Sequence, residues 1–364
     1  MKVLLTTLEL GSYSGLPLYT RDVALELKRQ GHAPEIYALN KGRVSQELVA
    51  ANIPVAESPS HIKTQPDIIH GQHRVSTLIS IKQFRRTPGM FICHNHTFWG
   101  DQAPFHPRIL RYFGVSRVCM ERLRKDGVPE NMIRFLGNFV DTNRFLPRPP
   151  LPSKPRKALV FSNYATDQTH LPAVAEACRR ASLDLDVIGM HAKYVPDPEN
   201  TLGKYDIIFA KGRAAIESMA VGAAVILCDF SGVGPMVTLS EFDKLRLMNF
   251  GFQTLTQPLH PENILSQIAR YDPEEALLIR NLVRSTASLH KAVKNLVATY
   301  HAIIEDYQNQ KTRGVKSSLL ESAYWERARF WASLTPNQKN RLRPFSEFDP
   351  AAKECTYVWS RTTH

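Results

Sequence analysis

Apolar residues along the chain fall into short runs that alternate with segments of helical spacing. Val3–Thr6 reads as a strand, and a loop from Leu8 to Tyr19 follows, carrying Gly11, Gly15 and Pro17. Asp22–Gln30 places Val23, Ala24, Leu25 and Leu27 on an apolar face, predicting a helix that Gly31 stops, as a glycine just past a helix end does. Further strands are expected at Glu35–Leu39, Ile68-Ile69, Met90–Cys93 and Tyr112–Val115, the last leading into a helix over Ser116–Lys125. Strands alternating with helices imply a parallel sheet covered on both faces.

Pro147, Pro149, Pro150, Pro152 and Pro155 interrupt the pattern, because so dense a run continues neither a helix nor a central strand and behaves as a semi-rigid spacer. Beyond it the alternation restarts. Strands are expected at Ala158–Ser162, Leu185–Gly189, Tyr205–Phe209 and Ala224–Cys228, and helices at Pro172–Arg180 and Ala214–Val221. A long helical stretch from Leu277 to Tyr307 closes this half. The expected organisation is a first α/β domain over 1–147, a linker over 148–156, a second α/β domain over 157–307 and a basic helical tail over 308–364. The tail places Leu319, Leu320, Tyr324, Ala328, Trp331 and Ala332 at roughly helical spacing near basic residues, a pattern that packs back on the body or lies on a membrane surface.

Length and composition agree with two packed cores: the chain has 364 residues, 43% of them hydrophobic and 22% charged. The net charge is +12, and residues 1–150 carry +8 of it. A basic first half suits an anionic partner. No run reaches the ~20 apolar residues of a membrane helix. The start turns polar too quickly for a signal peptide. The five cysteines stand singly, with no C-x-x-C pair, so neither a disulfide framework nor a zinc site is expected. The expected location is cytoplasmic, with peripheral contact at the inner face of a membrane as an option.

Three places carry candidate chemistry. Gly11-Ser12-Tyr13-Ser14-Gly15 lies between the first strand and helix, where glycine lets backbone approach a ligand and free helix amides meet an anion. The spacing is not the dinucleotide G-x-G-x-x-G. His70 and His73 follow one strand, and His94 and His96 follow another. In a parallel sheet both sets emerge at carboxyl ends, where open α/β folds bind ligands. The strongest signal runs from Lys204 to Ile226 as strand, loop, helix, glycine, strand. There Lys211, Gly212 and Arg213 stand at a helix start suited to a diphosphate, with Glu217 one turn in, placed to accept ribose hydroxyls.

This last stretch resembles the donor-site segment of the GT-B glycosyltransferases, especially family 4. The family's Glu-Ala-Met-Ala-x-Gly-x-Pro-Val stands here as Glu217-Ser218-Met219-Ala220-Val221-Gly222-Ala223-Ala224-Val225. Pro66–His73 resembles its Pro-Asp-hydrophobic-hydrophobic-His-x-His strand, Phe91–His94 the strand ending in an active-site His, and Gly137–Asp141 its Asn-Gly-Val-Asp stretch. The Gly232–Pro235 segment resembles its Gly-Gly loop. The sequence departs at Phe209, where the family often has a Glu near the sugar, and over Phe161–Gln168, which lacks the family's diphosphate Arg and Lys. Lys211 and Arg213 are expected to replace those cations.

The resemblance implies two Rossmann-like parallel-sheet domains facing each other across a cleft. It implies a metal-independent, cofactor-free hexosyltransferase of polysaccharide biosynthesis that works with retention. The substrates are then a nucleotide-diphosphate sugar and a glycan or lipid-linked acceptor. His94 is the expected catalytic residue; Gly15, Lys211, Gly212, Arg213 and Glu217 bind the donor; Ser14, His73 and His96 contact acceptor or sugar. Closure is expected around the proline linker. Two other readings stand beside this one. A nucleotide-sugar epimerase on the same architecture would need carboxylates in the cleft, and the sequence shows no clear cluster. A basic nucleic-acid or membrane binder draws on the charge, but no standard nucleic-acid motif appears.

Overall fold

The computed structural model describes residues 1–312; the expected amphipathic segment at Leu319–Leu334 and Cys355 lie outside them. The first unit contains β1 (Lys2–Glu9), α1 (Gly15–Arg29), β2 (Ala33–Asn40), α2 (Arg43–Ala50), β3 (Val55–Ala56), β4 (Ile68–Gly71), α3 (Arg74–Gln83), β5 (Gly89–Cys93), β6 (Ile109–Gly114), α4 (Arg117–Lys125) and β7 (Ile133–Phe135). Its strands form one parallel sheet in the order β3-β2-β1-β4-β5-β6-β7. Strands β4 and β5 are buried along their whole length, which is why they read as unbroken apolar runs.

The second unit contains β8 (Lys157–Phe161), α5 (Leu171–Arg180), β9 (Asp184–Ile188), α6 (Glu199–Leu202), β10 (Ile207–Ala210), α7 (Gly212–Val221), β11 (Ala224–Asp229), β12 (Gly232–Met236), α8 (Leu239–Leu247), α9 (Pro261–Ile268) and α10 (Pro273–Thr286). Its sheet runs β12-β11-β10-β8-β9, parallel except for β12. Gly232–Pro235, expected as a loop, is therefore an edge strand hairpinned antiparallel to β11.

Two local differences from the expected elements have simple causes. Helix α1 begins at Gly15 rather than Asp22, with Ser14 as its N-cap. Pro17 in the first turn breaks no hydrogen bond, because the first amides of a helix have no partner within it. The Leu277–Tyr307 stretch is two helices, α10 and α11 (Leu289–Thr312), separated at Ala287-Ser288.

Helix α11 does not close the second half. Leu289, Val293, Leu296, Tyr300, Ile303 and Tyr307 pack into the core of the first unit, together with residues such as Leu27 and Phe139. Val140 and Phe145 belong in turn to a core cluster of the second unit, beside Ile208, Met219 and Val283. The chain thus crosses between units near residues 140 and 288, and the two crossings lie side by side: Val140 N–H donates to Ala287 (2.9 Å) and Leu289 N–H to Val140 (2.8 Å). The proline run, expected as the hinge, is stitched to the second unit instead. Arg148 N–H donates to Val221, and its guanidinium reaches Asp206 (3.0 Å), whose carboxylate also accepts from the Arg156 and Lys157 amides. Proline only stiffens this segment; the paired crossings are the thin part of the connection.

Candidate active site

Helix α1 follows β1 in the first unit, and α7 follows β10 in the second. Their starts meet. Arg213, in the first turn of α7, donates from Nη2 to Asp22 on α1 and from Nε to Glu217 (2.7 Å). Tyr13, in the loop after β1, and Tyr194, in the loop after β9, have ring centroids 6.0 Å apart, so the carboxyl ends of the two sheets face one another, the placement in which α/β folds bind ligands. Asp22 also pairs with Arg21 (2.9 Å), Arg21 with Glu47 (3.1 Å), and Arg144 with Glu199 (2.5 Å). Three guanidinium groups thus face four carboxylates, Asp22, Glu47, Glu199 and Glu217.

Burial opposes ionisation of Asp22, but the Arg213 and Arg21 guanidiniums outweigh it and its pKa falls below the ordinary value. At Glu217 burial prevails over the same Arg213, and the pKa rises. The two carboxyls sharing one guanidinium are pushed apart.

The other donor-site residues are also engaged. Lys211, the N-cap of α7, turns its Nζ to Asp229 (2.8 Å) and sits over the rings of Tyr164 (4.8 Å) and Phe252 (4.2 Å). The Gly212 amide, expected to face an anion, donates to Phe250 O (2.7 Å). Gly212 holds φ +58°, a left-handed conformation open to glycine without steric cost, and this explains its presence better than a ligand contact does. The cations at α7 are therefore in place beside the cleft but charge-compensated. Phe209 is fully buried in the core of the second sheet, with no acidic group in its place.

On the first-unit side, His70, which lies within β4 rather than after it as expected, and His94, which follows β5, both pack against Tyr19 of α1. His94 meets the Tyr19 ring edge-on with centroids 4.7 Å apart, and His70 lies 6.0 Å from the same ring. His70 is a core residue, its Nδ1 hydrogen-bonded to Tyr300 of α11 (2.5 Å). His73 accepts the Leu8 amide on Nδ1 (3.1 Å). Burial lowers the pKa values of His70 and His94 to about 3 and of His73 to about 4, so all three rings are neutral near pH 7. His94 Nε2 is shielded and has no hydrogen-bond partner among the described residues. His96 lies further along the loop, its carbonyl accepting from Arg122 (2.6 Å). Ser14 Oγ is hydrogen-bonded to Ser12 Oγ (3.0 Å), and a side chain at Gly15 would meet nothing within 4 Å.

Asp101 completes this pocket. Its Oδ2 accepts the amides of His94 (2.8 Å) and Asn95 (2.6 Å), and its Oδ1 lies 3.8 Å from His73 Nε2. Burial raises its pKa to about 7 despite those two amides. Sequence reasoning missed Asp101 because it sits beyond the loop, seven positions after His94. It also missed Asp22, which enters there only as the first residue of a predicted helix and whose partner lies 191 positions away. No group of three or more His, Cys, Asp or Glu among the described residues is arranged to hold a metal, and no described helix is long and apolar enough to cross a membrane.

The architecture has solved counterparts. A glycosyltransferase from Rickettsia africae ESF-5 superposes with a TM-score of 0.62 at 17% identity, over 83% of this chain and 98% of that one. Anabaena HepE in complex with UDP and glucose superposes with a TM-score of 0.63 at 13% identity, over 82% and 99%. HepE in complex with UDP-glucose gives 0.63 at 12%, over 83% and 100%. The fold is GT-B. Residues 13–144 also match the family described as Glycosyltransferase Family 4, so within this GT-B chain the match spans the loop at Ser14-Gly15, all four histidines and Asp101. No curated protein matches the chain in sequence.

Proposed function

We propose that this chain transfers a sugar from a nucleotide-diphosphate sugar to a glycan or lipid-linked glycan, as a retaining hexosyltransferase that needs no metal. The observation that carries the reading is the meeting of α1 and α7. It sets the neutral histidine pocket of the first unit, inside the family-matched segment, opposite the Lys211–Glu217 helix start of the second. The HepE structures, with UDP and UDP-glucose bound, support a nucleotide-sugar donor on such a fold.

In this reading the nucleotide lies along the start of α7. Arg213 occupies Glu217 Oε1, leaving Oε2 to accept a ribose hydroxyl. The sugar points to His94, whose unpartnered Nε2 contacts a hydroxyl or the acceptor. The developing charge is on the leaving diphosphate, so preorganised donors there lower the barrier, and closure at the paired crossings excludes water. Titration with UDP, GDP and ADP in the absence of metal tests this: one of the three binds, and its sugar conjugate is consumed when glycan acceptor is added. Failure of all three to bind sinks the proposal.

A second reading rests on the Asp22–Glu217 pair. The sequence suggested no carboxylate cluster, yet these two meet across the cleft with pKa values moved in opposite directions, the pattern of an acid and a base. A nucleotide-sugar epimerase would use such a pair. Incubation with sugar nucleotide alone separates the two, since epimerisation needs no acceptor.

A further inference from the structure

Every cation that the sequence offered for the diphosphate is already matched by a carboxylate. Arg246 is not. It follows α8's core-facing Leu245, and its Nη1 is shielded from solvent with no hydrogen-bond partner among the described residues. Other shielded guanidiniums have a counter-charge or carbonyl partners: Arg213 has Asp22 and Glu217, Arg148 has Asp206 although its own Nε is unpartnered, and Arg108 has the carbonyls of Phe84 (2.6 Å) and Thr87 (3.0 Å). Burial alone, with no opposing carboxylate, lowers the Arg246 pKa to about 10. A partly buried cation with no counter-charge is costly, and a protein that keeps one gains when an anion arrives.

The guanidinium sits where the two units meet. A Cβ built on Gly137 would lie 3.2 Å from Arg246 Cζ, so the guanidinium lies against the last stretch of the first unit before the crossing. That stretch is fastened to the turn after α8, since the Asn138 amide donates to Asn249 Oδ1 (2.9 Å). Asn249 and Phe250 in this turn hold φ +56° and +50°, a rare left-handed pair for residues other than glycine. The strained turn ends at Phe250 O, which caps the Gly212 amide at the start of α7. One run of contacts therefore joins Arg246, the first unit and the helix start beside which the donor is proposed to lie. Backbone strain of this kind persists where the surroundings over-determine it, and it clusters at ligand sites.

We infer that Arg246 is the residue that grips the donor's diphosphate, in place of Lys211 and Arg213. This rests on the nucleotide-sugar reading above. A planar guanidinium suits paired phosphate oxygens. Lys211 and Arg213 then act as positioning residues: one braces the Tyr164–Phe252 side, the other joins α7 to α1.

The test is calorimetric titration of the full chain, as wild type, Arg246→Met and Arg246→Lys, with UDP, GDP and ADP and with uridine, guanosine and adenosine, without metal. The wild type is expected to bind one diphosphate more tightly than its nucleoside. Arg246→Met should weaken that diphosphate at least tenfold and leave the nucleoside unchanged, with Arg246→Lys between. The ligand-free Arg246→Met protein should melt at the same temperature as the wild type or higher, because a strained charge has been removed. If Arg246→Met binds the diphosphate as the wild type does, the inference fails while the nucleotide-sugar reading stands. Equal weakening of diphosphate and nucleoside, or a lowered melting temperature in both variants, also overturns it by making Arg246 structural. A wild type that binds none of the three diphosphates overturns the reading and the inference together.

Discussion

Arg213 of α7 donates through Nη2 to the carboxylate of Asp22 on α1, a single bond that spans 191 positions and ties the two units across the cleft. Asp22→Asn keeps the shape but removes the charge. Arg213 retains Glu217, so the loss is smaller than for a fully orphaned buried cation, about 2–4 kcal/mol. Denaturant unfolding should show it. The sign with pH follows from the depressed Asp22 pKa. Its stabilisation is complete above the unfolded carboxylate value of ~3.9 and is lost as pH falls through the lower folded value. The gap between wild type and variant should therefore be constant from neutral pH down to about 5 and shrink below ~4. A gap that persists undiminished at pH 2 would mean that the charge on Asp22 is not its source.

Tyr300→Phe tests the return of the last helix. Its hydroxyl is the partner of buried His70 Nδ1, so removal leaves a shielded ring nitrogen unpaired, at a cost of about 1–3 kcal/mol. The expected result is a lower unfolding midpoint with donor affinity unchanged. A neutral substitution would show that α11 is not docked on the first unit in solution.

Features legible in the sequence are local ones. Gly31 marks the end of α1 because the left-handed position past a helix end, here φ +80°, selects glycine from its immediate neighbours. The strands before His70 and His94 are readable because full burial makes an unbroken apolar run. The Glu217–Val225 segment carries its helix, stop and strand within nine residues. What was hidden depends on partners far along the chain. Nothing near Lys211 or Arg213 announces that Asp229 and Asp22 neutralise them. Amphipathic spacing in α11 says that one face is buried, not which core receives it, so Tyr300 and its neighbours were assigned to the wrong unit. Arg246 reads as one more basic residue at a helix end until its lack of a counter-charge is seen.

His94→Ala should lower kcat about 10²–10³-fold, the usual loss when one preorganised polar contact to a transition state is removed, with donor KM little changed. Because burial holds the ring neutral, with a pKa of about 3, no activity change between pH 5 and 9 should trace to His94. An unaltered kcat in the variant would remove His94 from the reaction.

Gly15→Ala separates packing from ligand contact. An added methyl meets nothing within 4 Å, and the backbone there has no positive φ, so stability should stay within about 0.5 kcal/mol of the wild type. If the space above Gly15 receives substrate, KM should rise several-fold with the melting temperature unchanged. Wild-type kinetics in the variant would leave the loop without a ligand role.

Asp101 should give the reaction its pH dependence. Burial raises its pKa to about 7, whereas the neighbouring histidines titrate far lower, so the ionisation in the first-unit pocket nearest neutrality belongs to this carboxyl. A raised acid pKa destabilises the fold once the unfolded chain has ionised: the cost begins above ~3.9, grows with pH, and is complete above about 7. Asp101→Asn keeps an oxygen for the His94 and Asn95 amides and removes the titration. The variant should therefore gain stability relative to wild type between pH 4 and 8, with about 4 kcal/mol as the ceiling for a shift of this size. Its kcat/KM profile should lose the limb near pH 7 that the wild type shows. If both proteins share that limb, Asp101 only pins the His94 loop, and the titrating group lies on the substrate or in the Asp22–Glu217 pair.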